Sequence, residues 1–566
     1  MLTISGWIFL GLGALIAALP DLLHMRARRE IAPGAHRAVC IALFVLGCVA
    51  RLWRLDSMPY GISAEEALVG VQAKALWQTG GFLFHGHLTA QLSQWAGESC
   101  GPLLATLTAP CVGLGGMTPL MTRLPLALLS CAAMPAAYAL GMELSGKRAA
   151  RWSLTCYALC PYFVLAARLT CGANVAVCLL PVAVWLLVRG MKRAASLYAG
   201  VLLMALLAYA QDMYFFISPL AVVLSCVIAA IYGMKKRHAF GAMALGLIVC
   251  TPAMLTLWVN LAGKEAFTLL GIVEIPRLER FDKADWFYRQ MAEPDLVLSF
   301  QNKLWIVLVS GVFQCVRHAN IANGLLVPDG MLALYAISAP LIALGALSLF
   351  ARRAGGARVS REMAAKRTLI AALALVTCAC LTAYGSESYA NIAGPTSAFD
   401  YSSLFLFDVL LMVAGLCRIE RKSAACACAV TVLFAVSAGF LGAHLLGGDY
   451  QANANVYFDG FGELSAQAAQ IQEKTGARVN VTDTVYPHIS PDEAAEFMYL
   501  YATDADMRQA AKARGTDYEV SYLRAIESPD ASQIYLVTAN DTLMWDYAEF
   551  DYAEAGQYLL LTPAGE

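Results

Sequence analysis

Runs of about twenty apolar residues recur along most of this chain, and they leave few folds open. A segment of that length, wound as an α-helix, spans the ~30 Å hydrocarbon core of a bilayer. It does so with its backbone N–H and C=O groups paired internally. So many such segments could not share one water-soluble core, because each lacks a polar face. Only 14% of the 566 residues are charged, and 59% are apolar; soluble proteins carry about 25% charged residues. The expectation is a polytopic α-helical membrane protein. Net charge is −1, which gives no reason to expect a nucleic-acid partner. The 17 cysteines fall mostly inside apolar runs and read as small buried hydrophobes, with no zinc spacing and no disulfide framework.

Lys and Arg concentrate in short loops: 26–37, 147–151, 189–193, 235–237, 352–367 and 418–422. Cytoplasmic loops carry such an excess. Placing all six inside gives one consistent path of about twelve spans, near 3–20, 38–54, 121–141, 152–167, 174–190, 196–211, 213–232, 239–260, 331–350, 368–385, 402–417 and 424–446. The first, without a basic leader, reads as a retained helix. The apolar stretches 103–115 and 304–313 are too short to cross and read as interfacial or re-entrant helices.

This path puts three polar segments outside: 55–120, 261–330 and a tail after the last span. Residues 1–446 are thus expected to form the transmembrane domain with its outer loops, and residues 447–566 a small extracytoplasmic α/β domain. The tail shows helical runs at 463–474 and 491–502 and strand-like runs at 477–481, 533–537 and 558–561. It holds no phosphate loop, HExxH or GxSxG motif, so support or acceptor recognition is its expected role.

The first outer segment begins "PYGISAEEALVGVQAKALWQTG", from Pro59 to Gly80. Ser63 with Glu66 fits a capping box, and Val69, Ala73 and Leu76 continue at helical spacing. Glu65, at the second helical position, suits the positive end of the helix dipole. Both acids could therefore simply start a helix. Alternatively, one carboxylate faces a cavity and takes a proton as a general base. Local sequence leaves both readings open.

The wider order of features resembles the C-type membrane glycosyltransferases (GT-C fold), closest to the protein O-mannosyltransferase and aminoarabinose transferase group. The shared pattern runs through Pro59, Gly61, Glu65, Glu66, Ala67, Gly70, Ala73, Leu76 and Gly80. It continues with Gly101 and Pro102, then Gly116, Pro119 and Arg123 to Pro125, then Pro161 with Arg168, and Tyr209 with Pro219. The stretch Asp459 to Glu463 looks like the start of the outer tail in bacterial relatives. The resemblance covers the first 260 residues by motif and the rest by topology. It implies a polyprenyl-phosphate-linked sugar as donor, membrane lipid around the spans, a cell-envelope acceptor (glycan, lipid or protein), and chemistry on the outer face. The first acid of the pair is the family's usual base or acceptor-orienting group, which by position is Glu65. This chain has Glu where the family mostly has Asp, so its arm is longer by one CH₂.

A lipid-phosphate donor needs cations at the outer boundary, because buried phosphate charge is costly. Arg123, Arg168, Lys303 and Arg317 are candidates, with His318 beside the last. Snorkelling towards headgroups is the alternative for each. Asp212, between two closely spaced spans, is a further candidate acid, or simply exposed in its turn. Glu98 could line the same cavity. His85, His87 and Glu98 could be imagined around a divalent metal, but HxH in a Gly-rich loop is nonspecific and no cofactor is firmly implied. Trp53, Tyr60, Trp77 and Trp95 fit an interfacial belt.

The leading expectation is an inverting glycosyltransferase. A flippase of polyprenyl-linked glycans is the main alternative; against it stand the lack of an internal repeat and of charges centred in the spans. A non-catalytic assembly subunit with the same fold is the third.

Overall fold

Every predicted span contains a helix. A computed structural model describes residues 4–25, 32–59, 61–83, 87–92, 101–211, 213–278, 296–308, 337–354, 360–384, 402–446, 460–482, 491–513, 520–523, 529–538, 549–556 and 558–564. The helices in the predicted spans are Ile4–Leu22, Pro33–Leu52, Pro119–Ser145, Lys147–Leu159 with Pro161–Ala166, Gly172–Gly190, Ala194–Leu206, Tyr214–Ile231, Lys236–Leu261, Ser338–Ala354, Arg361–Tyr384, Phe405–Lys422 and Ala424–Leu446. Among the described residues, seven helices are long and apolar enough to cross a membrane unaided. The expected count of about twelve crossings is not confirmed by these seven.

One interruption has a clear cause. The span predicted at 152–167 breaks at Cys160, just before Pro161. Proline has no N–H, so the Tyr157 carbonyl loses its donor four residues on. Arg51 supplies one. Its Nη2 donates to Tyr157 O at 2.5 Å and its Nη1 to Ala158 O at 3.2 Å. Its Nε reaches Ser130 Oγ at 2.8 Å, and the side chain is fully buried.

The chain divides into two compact units. The helical unit comprises Met1–Trp53, Leu126–Lys264 and Phe281–Tyr450. Here Gly345 and Gly415 let the helices Ser338–Ala354 and Phe405–Lys422 pack backbone to backbone: a Cβ at Gly345 would overlap Leu411 O, and one at Gly415 would crowd Leu341 O. Helix ends next to the basic loops meet through ion pairs. Lys366 binds Glu143 at 2.5 Å and Glu362 at 2.8 Å, Lys192 binds Glu362, and Arg151 binds Glu420 at 2.6 Å. Asp21 accepts from Arg418 and Lys422.

The second unit comprises Arg54–Pro125, Glu265–Arg280 and Gln451–Glu566. It gathers the tail with the first predicted outer segment. Two of the predicted outer segments pair in a small sheet of order β1-β3-β2, from Leu88–Thr89 (β1), Phe267–Leu269 (β2) and Val273–Ile275 (β3). The short apolar stretch at 103–115 is a helix, Pro102–Gly115, with proline at its start and Gly116 (φ +78°) at its end.

The tail's five-stranded sheet runs β5-β4-β6-β8-β7, from Val479–Thr482 (β4), Val520–Leu523 (β5), Ile534–Thr538 (β6), Phe550–Ala555 (β7) and Tyr558–Pro563 (β8). β4 lies parallel to β5 and β6, while β8 is antiparallel to β6 and β7. The fully buried run of β6 follows from its central place. Sequence patterning finds β4, β6 and β8 and misses β5 and β7. β5 is only four residues long, and β7 (FDYAEA) carries exposed acids on both faces, Asp551 and Glu554, which break the period-2 pattern.

The glycine packing is testable. Alanine at an exposed helical glycine gains up to about 1 kcal/mol in helix propensity. Gly439→Ala, with open space around it, should follow that rule. Gly345→Ala should instead lose about 1–3 kcal/mol, the usual range for overpacking. Thermal unfolding in detergent reads both, and equal shifts would overturn the packing account.

Candidate functional site

The acid pair opens the helix Ala64–Thr79. Ser63 Oγ accepts from Glu66 N at 3.2 Å, and Glu66 Oε2 accepts from Ser63 N at 3.2 Å, so the predicted capping box is formed. Gly80 ends the helix in the left-handed region (φ +78°) with its N–H on Leu76 O.

Glu66 does more than cap. Arg123 Nε donates to its Oε1 at 2.8 Å and Arg123 Nη2 to its Oε2 at 2.9 Å, a two-pronged pair with both side chains at or below 1% exposure. The remaining donors of Arg123 reach the chain just before the helix: Leu55 O at 3.3 Å, Pro59 O at 2.9 Å and Gly61 O at 2.6 Å. A guanidinium has five N–H donors, and here each has an acceptor. Arg123, expected to meet a phosphate at the boundary, is therefore the buried counterion of Glu66 and the fastener of the loop that delivers the acid pair.

Glu65, the neighbouring acid, is half-buried at the first turn of the helix. Together, Ser63, Glu66, Arg123 and the carbonyls of residues 55–61 fix the backbone from which Glu65 projects.

Arg168 also holds backbone. Its Nη1 donates to Ala50 O at 2.9 Å and Arg51 O at 3.2 Å, and its Nη2 to Trp53 O at 2.8 Å. It thus satisfies carbonyls at the end of the helix Pro33–Leu52, where a cation suits the dipole. Lys303 is buried on the helix Leu296–Ile306. Asp212, Arg317, His318, Glu98, His85, Tyr60 and Trp95 lie outside the described residues. His87 is exposed, and its carbonyl accepts from Phe82 N. No group of three or more potential metal ligands occurs among the described residues. Trp53 and Trp77 are each about half exposed.

Sequence reading passes over Lys74, Thr122, Tyr501 and Asp504. Within the second unit, Tyr501 and Asp504 of the tail contact the acid-pair helix and the start of the helix that carries Arg123. The one available signal was Lys74, a lone cation in the otherwise uncharged run "VGVQAKALW".

By fold, ArnT from Cupriavidus metallidurans bound to undecaprenyl phosphate matches with a TM-score of 0.50 at 11% identity, over 94% of this chain and 98% of that one. Residues 100–256 match the family model for dolichyl-phosphate-mannose-protein mannosyltransferases. The chain has the GT-C fold. Within that fold the chain is similar to the protein O-mannosyltransferase family model over residues 100–256 and to ArnT by structure. ArnT in the apo state gives the same TM-score of 0.50 at 10% identity, over 92% of this chain and 97% of that one. The apo oligosaccharyltransferase of Archaeoglobus fulgidus gives 0.44 at 11% identity, over 83% and 64%. No curated protein matches the chain by sequence. The family-model match begins after the acid pair, at residue 100.

Removing one partner of a buried ion pair costs about 3–5 kcal/mol, because the other charge stays buried. Arg123→Ala and Glu66→Ala should each lose that much thermal stability in detergent. A wild-type Tm for Arg123→Ala would overturn the role given to the pair.

Proposed function

We propose that this chain is a membrane glycosyltransferase that moves a sugar from a polyprenyl-phosphate carrier to a cell-envelope acceptor, with Glu65 as the general base. One observation carries the reading. The Ser63–Glu66 capping box and the two-pronged Arg123–Glu66 pair fix the helix start that carries Glu65, which is by position the first acid of the motif. The support for a polyprenyl-phosphate donor is the fold shared with an ArnT structure that holds undecaprenyl phosphate.

In this reading the acceptor O–H gives its proton to the Glu65 carboxylate as its oxygen bonds to the anomeric carbon. The bond from that carbon to the phosphate oxygen breaks, and its electron pair leaves with polyprenyl phosphate. Attack opposite the leaving group inverts the anomeric centre. Charge gathers on the departing phosphate, and fixed cations there are often the largest catalytic contribution. Lys303, Arg317 and His318 are our candidates for that task. Arg123 and Arg168 we assign to holding the chain, on their carbonyl partners. Asp212 remains a candidate acid of the same site. We place the basic helix ends in the cytoplasm and the second unit, with residues 447–566, on the outer face, as the positive-inside rule directs.

Purified protein with radiolabelled polyprenyl-phosphate sugar and envelope acceptor tests this. Wild type should release polyprenyl phosphate, and Glu65→Gln should lose about 10²-fold or more in rate, the usual contribution of a general base. Full transfer by Glu65→Gln would remove Glu65 from the mechanism. Donor movement across vesicles without release of polyprenyl phosphate would favour a flippase instead.

A further inference from the structure

We propose that the C-terminal tail is a clamp on the acid-pair helix, with Tyr501 and Asp504 as positioning residues for Glu65. The proposal rests on the reading of Glu65 given above. It assigns the tail a task that neither its composition nor the GT-C fold supplies.

Residues 66, 70, 74 and 78 of the acid-pair helix are spaced by four, so they line one stripe of its surface. Each is held by a group from elsewhere in the second unit. Glu66 meets Arg123. Gly70 faces the Tyr501 ring so closely that a Cβ there would overlap it. Lys74 Nζ donates to both Asp504 O at 2.5 Å and Asp504 Oδ1 at 2.8 Å. Gln78 Oε1 accepts from Met507 N at 2.8 Å, and Gln78 O accepts from Arg508 Nε at 3.2 Å. Three of the four contacts come from one stretch of the tail, residues 501–508.

The same stretch also holds the segment that carries Arg123. Tyr501 OH pairs with Thr122 Oγ1 at 2.8 Å, and Met117 N donates to Asp504 Oδ1 at 2.9 Å. Burial pushes the Tyr501 hydroxyl well above its ordinary pKa, so it stays protonated as a hydrogen-bonding group. Asp504 adopts φ +46°, a left-handed conformation that Asp tolerates better than most residues. From there its carbonyl and carboxylate both reach one lysine. The tail thus holds the two segments that carry Glu66 and Arg123, through Gly70 and Lys74 on one and Met117 and Thr122 on the other. Glu65 is one residue along from the start of the stripe. Loosening the clamp lets the helix shift, and Glu65 moves with it.

The test uses the full chain in detergent, with two readouts on Asp504→Ala, Asp504→Asn and Tyr501→Phe. The first is hydrogen exchange of residues 64–79, which needs no activity. The second is transfer from a polyprenyl-phosphate sugar, split into kcat and KM. Asp504→Ala should raise exchange in that helix by roughly tenfold, as a loosened local unit does. Its kcat should fall about 10- to 100-fold, the scale of an ångström-level misplacement, while KM for the donor stays within about twofold. Asp504→Asn keeps an oxygen for Met117 N–H and Lys74 and should restore both readouts. Tyr501→Phe keeps the ring on Gly70 and removes only the hydroxyl. It should give a smaller change in the same direction, and it stands in if Asp504→Ala does not fold. Unchanged exchange in Asp504→Ala overturns the clamp. Raised exchange with unchanged kcat overturns positioning. If Glu65→Gln transfers at the wild-type rate in the same assay, the reading of Glu65 fails, and the exchange result alone decides the clamp.

Discussion

Backbone carbonyls at helix ends and in buried loops need donors, and three buried arginines supply them here. Arg51 serves the helix interrupted by Pro161. Arg168 serves the end of the helix Pro33–Leu52. Arg123 serves the loop from Leu55 to Gly61. An ammonium has three donors and no plane; a guanidinium presents five in a fixed fork, which suits carbonyls arriving from several directions. Within the second unit, removing the Arg123 contacts frees the loop from Leu55 to Gly61 that leads into the acid pair.

The Glu66–Arg123 pair has a different physical character from the other two. Arg51 and Arg168 hold neutral carbonyls, whereas Arg123 is matched by a carboxylate as buried as itself. A buried charge pair often adds little net stability over a well-packed apolar pair. It does add geometry. The two-pronged contact, the capping box and three carbonyl contacts together admit one rotation of the helix start. A site that must present a carboxylate to a reacting hydroxyl needs that fixity, since catalytic groups act only within narrow limits of distance and angle.

Much of the fold is legible in sequence because lipid allows few structures. Apolar run length finds the helices, and Pro, Gly and basic clusters find their ends. The capping box at Ser63 and Glu66 is equally local and forms as expected. The edge strands β5 and β7 escape, since a short or half-exposed strand carries little periodic signal. The roles of the arginines escape for another reason. A lone arginine near a span end reads the same whether it will face a phosphate, a headgroup or a carbonyl. Which one it meets depends on atoms far away in sequence, as with Glu66 and Arg123, whose positions differ by 57.

The sequence by itself determined that this chain is a bundle of membrane helices with polar segments and an α/β tail, because hydrophobic run length and helix caps are local quantities. It also marked Glu65 and Glu66 as unusual, through adjacency and order of motifs. Tertiary structure alone placed Arg123 on Glu66 and half-buried Glu65. It alone brought Lys74 and Asp504 together across 430 residues. The reason is physical: a side chain's partners are set by packing, and packing is decided only when distant segments meet.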